Sequence, residues 1–80
     1  MPRSPQILDV VGLVCPLPAL KTEKAMRSLP PDAELVVLAD DPLAAVDLPH
    51  LCRTHGYELV ASERDGAVQV FQLRNRRPAG

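Results

Sequence analysis

A cysteine followed closely by two prolines is the feature of this sequence with the most chemical potential. The segment is Cys15-Pro16-Leu17-Pro18, and no further glycine or proline follows it as far as Leu29. Proline is tolerated in a first helical turn, so the pattern predicts a helix with Cys15 as its N-cap. Free N–H groups and the helix dipole favour a thiolate there, whereas the prolines remove possible N–H donors. The direction of the pKa shift stays open, and a thiol nucleophile and a small buried hydrophobe remain equal alternatives.

The second cysteine, Cys52, offers two further chemistries. It could resolve a disulfide with Cys15, or it could bind a metal together with His50 and His55. His50 and Cys52 are two positions apart and point to different faces of a helix, so only Cys52 and His55 align. We therefore predict a core cysteine and no metal site. Two cysteines also make no secreted disulfide framework, which favours a reducing compartment.

Acidic residues lie near both predicted strand ends. Asp9 and Gly12 are expected to shape the turn before Cys15, Gly12 because it tolerates positive φ, and Asp9 could instead accept backbone N–H groups there. Asp40 and Asp41 are first of all capping residues. If the first two strands are adjacent and parallel, this pair also lies towards Cys15, where carboxylates raise a thiol pKa. We therefore leave the pair out of the catalytic set.

The elements that must position these residues follow from hydrophobic periodicity and from turn residues. In chain order they are a strand over 7–11, a helix from Cys15 to Leu29, a strand over 34–39, a helix from Pro42 to about His55, and strands over 57–62 and 67–73. Pro49 should break or kink the second helix, with a restart at Asp47. Asp65-Gly66 predicts a hairpin between the last two strands.

The order βαβαββ predicts an α/β fold of the α+β two-layer type, with two helices packed on one face of a four-stranded mixed sheet. The chain of 80 residues is expected to form one domain with an ordered core over about 7–74. The tail from Arg74 to Gly80 is predicted to fray, and its arginines Arg74, Arg76 and Arg77 to be solvated.

Composition excludes several classes of function. The only aromatic residues are Tyr57 and Phe71, and the net charge is −1, so neither base stacking nor a general field favours nucleic acid or an anionic membrane. No run approaches the ~20 apolar residues of a membrane span, and the first residues lack the apolar core of a secretory signal. We therefore expect a soluble cytoplasmic protein.

The pattern Asp9-x-x-Gly12-x-x-Cys15-Pro16-x-Pro18 resembles the signature of the TusA/SirA family of sulfur carriers. Asp40-Asp41-Pro42 falls where that family has an acidic-acidic-proline element, and the likeness covers roughly residues 7 to 74. The resemblance implies that Cys15 is the working residue of a sulfurtransferase and that the other motif residues support its turn.

In such a carrier, the Cys15 thiolate accepts a sulfane sulfur from a persulfide donor, commonly a cysteine desulfurase or a rhodanese-like enzyme. It then relays the sulfur to a cysteine of an acceptor protein, by chemistry that resembles thiol–disulfide exchange. The relay needs no metal, cofactor or dedicated base, and a monomer suits it. Family members serve tRNA thiolation, molybdenum cofactor maturation, sulfur oxidation and selenium metabolism, and the residues here do not choose among them.

The outward face of the first helix is the predicted docking surface for these partners. Leu17 and Leu20 are apolar but lie off the buried stripe, and Lys21, Lys24 and Arg27 surround them. Exposed apolar residues rimmed by charge commonly mark a protein interface. Two rival functions remain: a redox or regulatory module whose cysteine forms a mixed disulfide with a partner, and a metal or small-molecule chaperone.

Overall fold

The computed structural model describes residues 5–76, which form six elements in the order βαβαββ. They are β1 (Gln6–Asp9), α1 (Leu17–Arg27), β2 (Glu34–Ala39), α2 (Ala44–His55), β3 (Glu58–Asp65) and β4 (Val68–Arg74). Two helices pack against a four-stranded mixed sheet, so the predicted α+β fold class is confirmed.

The order of strands in the sheet decides where the chemistry can take place. The order is β1-β2-β4-β3, with β1 parallel to β2 and with β4 antiparallel to both of its neighbours. Ile7 pairs with Val36, and the pairing continues past β1 through a 2.8 Å hydrogen bond from Val10 N–H to the Leu38 carbonyl. Because parallel strands end at the same edge, the segments that follow β1 and β2 lie side by side.

On the two central strands, buried residues alternate with partly exposed ones, so the sheet has one buried face. Every second residue of β2 and β4 is buried, and Phe71 on β4 is the largest fully buried side chain. Met26 of α1 and Leu48 of α2 pack into the same core cluster. Each such apolar side chain contributes roughly 1.5–3 kcal/mol of transfer free energy. The core therefore holds both helices against one face of the sheet.

Both helices begin later in the chain than predicted. Pro16, not Cys15, is the N-cap residue of α1, so Cys15 precedes the helix, and α1 ends at Arg27 rather than at Leu29. Proline supplies no side-chain cap, and none is present at this end. The consequence is that the thiol is one residue farther from the helix terminus than the sequence pattern suggested.

The second helix begins at Ala44, not at Pro42, because Asp41 closes a turn before it. An oxygen of its carboxylate accepts the Leu43 N–H at 3.1 Å, and its carbonyl accepts the Ala44 N–H at 2.9 Å. Of the predicted break or kink at Pro49, the break and the restart at Asp47 are wrong, since α2 runs from Ala44 to His55 through Pro49. Ala45, whose carbonyl would lose its usual partner, is exposed, so water can donate to it instead.

The hairpin between β3 and β4 turns where the Asp65-Gly66 pair predicted it. Gly66 has a φ of 62°, and the strands remain paired up to Asp65 opposite Val68. The strand β3 is thus longer than the predicted 57–62, and Ala67 lies in the turn rather than in β4. A register shift between Leu59 and Ala61 marks a β-bulge in the same strand.

Residues 74–76 are anchored, contrary to the prediction that the tail frays from Arg74, and residues 77–80 lie outside the described residues. The Asn75 side chain is fully buried and donates to the Leu29 carbonyl at 2.8 Å, and its backbone N–H donates to the Ala33 carbonyl at 2.9 Å. Its own carbonyl accepts the Asp32 N–H at 2.6 Å. We call this set of bonds the Asn75 clasp; it joins the end of β4 to the connection between α1 and β2.

Two arginines of the predicted tail, Arg74 and Arg76, are paired rather than simply solvated. Arg74 Nε lies 3.0 Å from Glu34 Oε2, and Arg76 Nε lies 3.1 Å from Glu58 Oε1. The guanidinium of Arg74, followed by the Gln72 amide, holds the pKa of Glu34 below its usual value. The stability from this pair is present at neutral pH and is lost as pH falls through the lowered pKa. Arg77 lies outside the described residues.

Replacing Asn75 by alanine should lower the free energy of unfolding by about 1–3 kcal/mol, because the buried Leu29 carbonyl loses its donor. The urea midpoint measures the change, with an unchanged m-value showing that two-state unfolding persists. Arg76→Ala is the control, since an exposed ion pair contributes at most about 1 kcal/mol. Equal midpoints for the two variants would contradict the clasp.

Candidate functional site

The site begins with the turn that leaves β1. Gly12 has a φ of 88°, a left-handed conformation that strains any residue with a Cβ, as the sequence predicted. Asp9 accepts the Val11 N–H at 3.0 Å, which is the backbone-orienting role left as the alternative for this residue. The Leu13 N–H donates to the Val10 carbonyl at 3.2 Å and closes the turn. The chain is thereby turned back towards the end of β2.

Two aspartates after β2 fix this loop from the other side. Asp40 Oδ1 accepts the Gly12 N–H at 2.9 Å, and Asp41 Oδ2 accepts the Cys15 N–H at 2.6 Å. The predicted approach of this pair towards Cys15 is therefore confirmed, and it follows from the parallel pairing of β1 and β2. Their role is larger than capping, because they hold the backbone of the reactive residue.

The Cys15 thiol is exposed and free, and its Sγ donates a hydrogen bond to Asp47 Oδ2 at 3.1 Å. The peptide bond between Cys15 and Pro16 is cis. Sequence reasoning missed Asp47, which it considered only as a restart point before Pro49. Its contact with Cys15 depends on how α2 lies across α1, and residue spacing carries no signal for that.

Carboxylates decide the protonation of this thiol. The hydrogen bond to Asp47, then partial desolvation, then the charges of Asp47 and Asp41 raise the pKa of Cys15 above its usual value. The sequence left this direction open, and the carboxylates here act against the helix-dipole effect. In the isolated protein, Cys15 is a protonated thiol at neutral pH rather than a stabilised thiolate.

An open groove of about 290 Å³ between the helices starts at Cys15. Pro16 and Ala19 line it from the α1 side. Its other lining residues all lie on α2, namely Asp47, His50, Leu51, Thr54 and His55. A groove of this kind admits a small group on the sulfur without enclosing it.

Exposed apolar side chains cluster in the segments that flank the cysteine. We call this set the apolar rim; it comprises Val11, Val14, Leu17, Leu43 and Val46. Val14, which is next to Cys15, is 66% exposed, and Leu43 is held close by Asp41, which also binds Cys15. Only Leu17 of this set was predicted. Val11, Val14 and Leu43 lie outside the helices and strands, where exposure follows from tertiary structure rather than from helical periodicity, and Val46 lies in the first turn of α2.

The predicted docking residues of α1 all lie at the surface. Leu17 and Leu20 are 43% and 54% exposed, and the basic residues Lys21, Lys24 and Arg27 are exposed beside them. Arg27 also pairs with Glu23 at 2.6 Å. Lys21 and Lys24 line a second open groove, of about 280 Å³, between α1 and β1. The face is therefore basic, apolar in part, and continuous in sequence with Pro16 and Pro18.

The second cysteine lies in the core. Cys52 is 3% exposed, and burial raises the pKa of its thiol, partly offset by Arg53. His55 Nε2 lies 3.5 Å from Glu23 Oε1, and the imidazole ring stacks on Tyr57. His55 is therefore not placed to bind a metal together with Cys52. Within residues 5–76, no three His, Cys, Asp or Glu side chains are grouped as metal ligands would be. The sulfur chemistry of this surface thus depends on Cys15.

Comparison with known proteins agrees with this geometry. The family model described as sulfurtransferase TusA matches residues 6–75. A SirA-like protein from Desulfitobacterium hafniense has a similar structure, with a TM-score of 0.77 and 25% sequence identity over 89% of this chain and 97% of that one. Within the described residues, no helix is long and apolar enough to span a membrane. The chain belongs to the TusA/SirA family of sulfur carriers.

Proposed function

We propose that this protein accepts a persulfide sulfur on Cys15 from a donor enzyme, a cysteine desulfurase or a rhodanese-like protein, and relays it to a cysteine of an acceptor protein. The carrier works as a cytoplasmic monomer without a cofactor. The single observation that supports this most is the position of the Cys15 thiol, which is exposed and free at the edge where two strand ends meet.

The surroundings of the thiol suit a carrier better than an enzyme with a closed active site. The groove beside Cys15 is open, so the sulfur can be reached by the cysteine of another protein. The apolar rim places exposed side chains such as Val14 and Leu43 in the segments next to Cys15 and Asp41, and burying them under a partner would be favourable. Donor and acceptor would use this surface in turn.

The same site narrows the redox alternative. Cys15 and Cys52 are both free, and Cys52 is buried in the core, so an internal resolving thiol is not presented to the surface. What remains is a mixed disulfide between Cys15 and another protein, and the mass measurement below distinguishes it from a carried sulfur.

The experiment is an intact-mass measurement without reductant. The protein is incubated with a cysteine desulfurase and cysteine, or with a rhodanese and thiosulfate, and a peptide map locates any added sulfur. We expect a gain of one sulfur atom on the Cys15 peptide with at least one donor. No gain with either donor, together with a mixed disulfide formed with a cell protein, would replace the carrier by the redox module.

The basic face of α1 should guide the donor to Cys15. We expect Lys24→Glu combined with Arg27→Glu to slow loading by about tenfold at low salt, because steering by rim charges acts on the association rate. The loss should shrink as salt rises, since screening weakens the field of the wild type. Initial rates of sulfur gain at several donor concentrations measure the effect.

A matched control reverses two other exposed charges, with Arg53→Glu on α2 and Arg64→Glu on β3. This variant has the same net charge as the α1 variant but keeps the basic face intact. Its loading rate should stay close to that of the wild type. If both double variants slow loading equally, net charge rather than a docking face of α1 explains the result.

A further inference from the structure

The contact between Cys15 and Asp47 has a chemical requirement of its own. A carboxylate only accepts hydrogen bonds, so the 3.1 Å contact from Sγ to Oδ2 forms when the sulfur carries its proton. Asp47 lies in the first turn of α2 and is half-buried, and α2 is packed against the core through Leu48 and Leu51. The acceptor is therefore held in place by the fold rather than by a mobile surface loop.

The other groups that face the thiol strengthen this preference. At the end of β2, the Asp41 carboxylate accepts the Cys15 N–H, and the Asp40 carboxylate accepts the Gly12 N–H. Asp9 lies at the end of β1, and His50 and His55 of α2 line the groove.

Among the described residues that line the groove there is no lysine or arginine. His55 is drawn towards Glu23 of α1 at 3.5 Å, and His50 lies 3.5 Å from the Thr54 hydroxyl. The charges that act on the sulfur are therefore those of Asp47 and Asp41, both negative, and no lysine or arginine of the groove lining offsets them.

We propose that Asp47 holds the unloaded Cys15 as a neutral thiol, so that the free carrier reacts slowly with adventitious electrophiles and becomes nucleophilic only when a partner breaks or neutralises this contact. The benefit to a carrier rests on the proposed function, whereas the effect on the thiol does not. The raised pKa of Cys15, caused first by the hydrogen bond to Asp47, supports the same assignment.

The contact also fits the proton balance of sulfur transfer. As Cys15 Sγ bonds to the terminal sulfur of a donor persulfide, the S–S bond of the donor breaks and the S–H proton of Cys15 must leave. The donor sulfur departs as a thiolate and takes up one proton, so a thiol and a persulfide give a persulfide and a thiol with no net oxidation. In the free carrier this proton is the one held in the contact with Asp47, so the contact has to be given up as the partner docks.

The test is the rate of alkylation of Cys15 by iodoacetamide, from about pH 6 to about pH 10.5, in the wild type and in Asp47→Asn. Asparagine keeps the shape of the side chain but removes its charge. We expect a lower midpoint and severalfold faster alkylation near neutral pH in the variant, because more of the sulfur is thiolate. At the alkaline plateau the variant should react more slowly, since nucleophilicity falls as thiolate basicity falls.

Asp32→Asn is the control, because it removes one negative charge at the opposite edge of the sheet, where asparagine also tolerates the positive φ of 66°. Cys52 is replaced by alanine in every variant, so that all alkylation occurs at Cys15. Thermal unfolding verifies that each variant is folded. The proposal is supported if the profile of alkylation rate against pH for Asp47→Asn crosses that of the wild type while the profile for Asp32→Asn does not. An unshifted midpoint in folded Asp47→Asn overturns it.

This assay uses no sulfur donor, so it is independent of the carrier function. If the midpoint shifts but no donor loads Cys15, the proposed function fails and the assignment of Asp47 holds. If loading occurs and the midpoint is unshifted, the reverse is true. Should Asp47→Asn unfold, Asp47→Ser provides a second variant without the carboxylate, with the same expected direction of the shift.

Discussion

Replacement of Cys15 by serine should abolish sulfur loading completely, while replacement of Cys52 by alanine should leave it intact. The serine hydroxyl can still donate to Asp47, so the local structure is kept, but an alcohol is not a nucleophile for sulfane sulfur at neutral pH. Intact mass after incubation with the donor and its substrate reads the result directly. The expected outcome is one added sulfur atom in Cys52→Ala and none in Cys15→Ser.

The pair of variants is informative because the two thiols differ in exposure rather than in chemistry. Cys15 is exposed, whereas Cys52 is 3% exposed and its thiol pKa is raised by burial. Alanine is chosen for Cys52 because a buried serine hydroxyl without a partner would destabilise the core. Sulfur on Cys15→Ser, or its loss from folded Cys52→Ala, would assign the cargo to the core thiol instead.

The second large effect is expected at Asp41. One carboxylate oxygen binds the Cys15 N–H and the other binds the Leu43 N–H, so this side chain joins the cysteine loop to the start of α2. In Asp41→Ala both N–H groups lose their acceptor, and the loop can drift by an ångström or more. Misplacement of a reacting atom on that scale costs about a hundredfold in rate. We expect a loss of that order in loading, with a decrease of about 1–2 kcal/mol in unfolding free energy.

Alkylation by iodoacetamide separates this effect from a simple loss of reactivity. Removing Asp41 also removes negative charge near the sulfur, which lowers the thiol pKa, so alkylation of Asp41→Ala should be no slower than in the wild type. Asp41→Asn keeps one acceptor oxygen and should load at an intermediate rate. Slow alkylation in step with slow loading would show that the variant had damaged the thiol itself rather than its placement.

Much of the fold could be predicted because short-range signals determine it. The nearly continuous apolar run over 34–39 marks β2 as a central strand, and Asp65-Gly66 fixes a hairpin. The errors are equally physical. Pro49 is compatible with an unbroken helix because its effect depends on whether Ala45 meets water, and Asn75 is buried because its partner carbonyls belong to residues far back in the chain.

The candidate site was predictable only to the extent that strand order places it. Parallel pairing of β1 and β2 was enough to bring Asp40 and Asp41 towards Cys15. The contact with Asp47 was not predictable, because it depends on the placement of α2 across α1. The sign of the Cys15 pKa shift was open for the same reason, since the helix-dipole effect is encoded locally and the opposing carboxylate is not.

The Asn75 clasp has a practical consequence for handling the protein. It fastens the end of β4 to the start of β2, whereas Cys15 lies beyond the end of β2, about 20 Å away for a strand of six residues. A surface tether attached beside Asn75 is therefore held at the edge opposite the thiol. Immobilised in this orientation, the protein would present its sulfur outward, as a bead-bound reagent for capturing donor and acceptor enzymes.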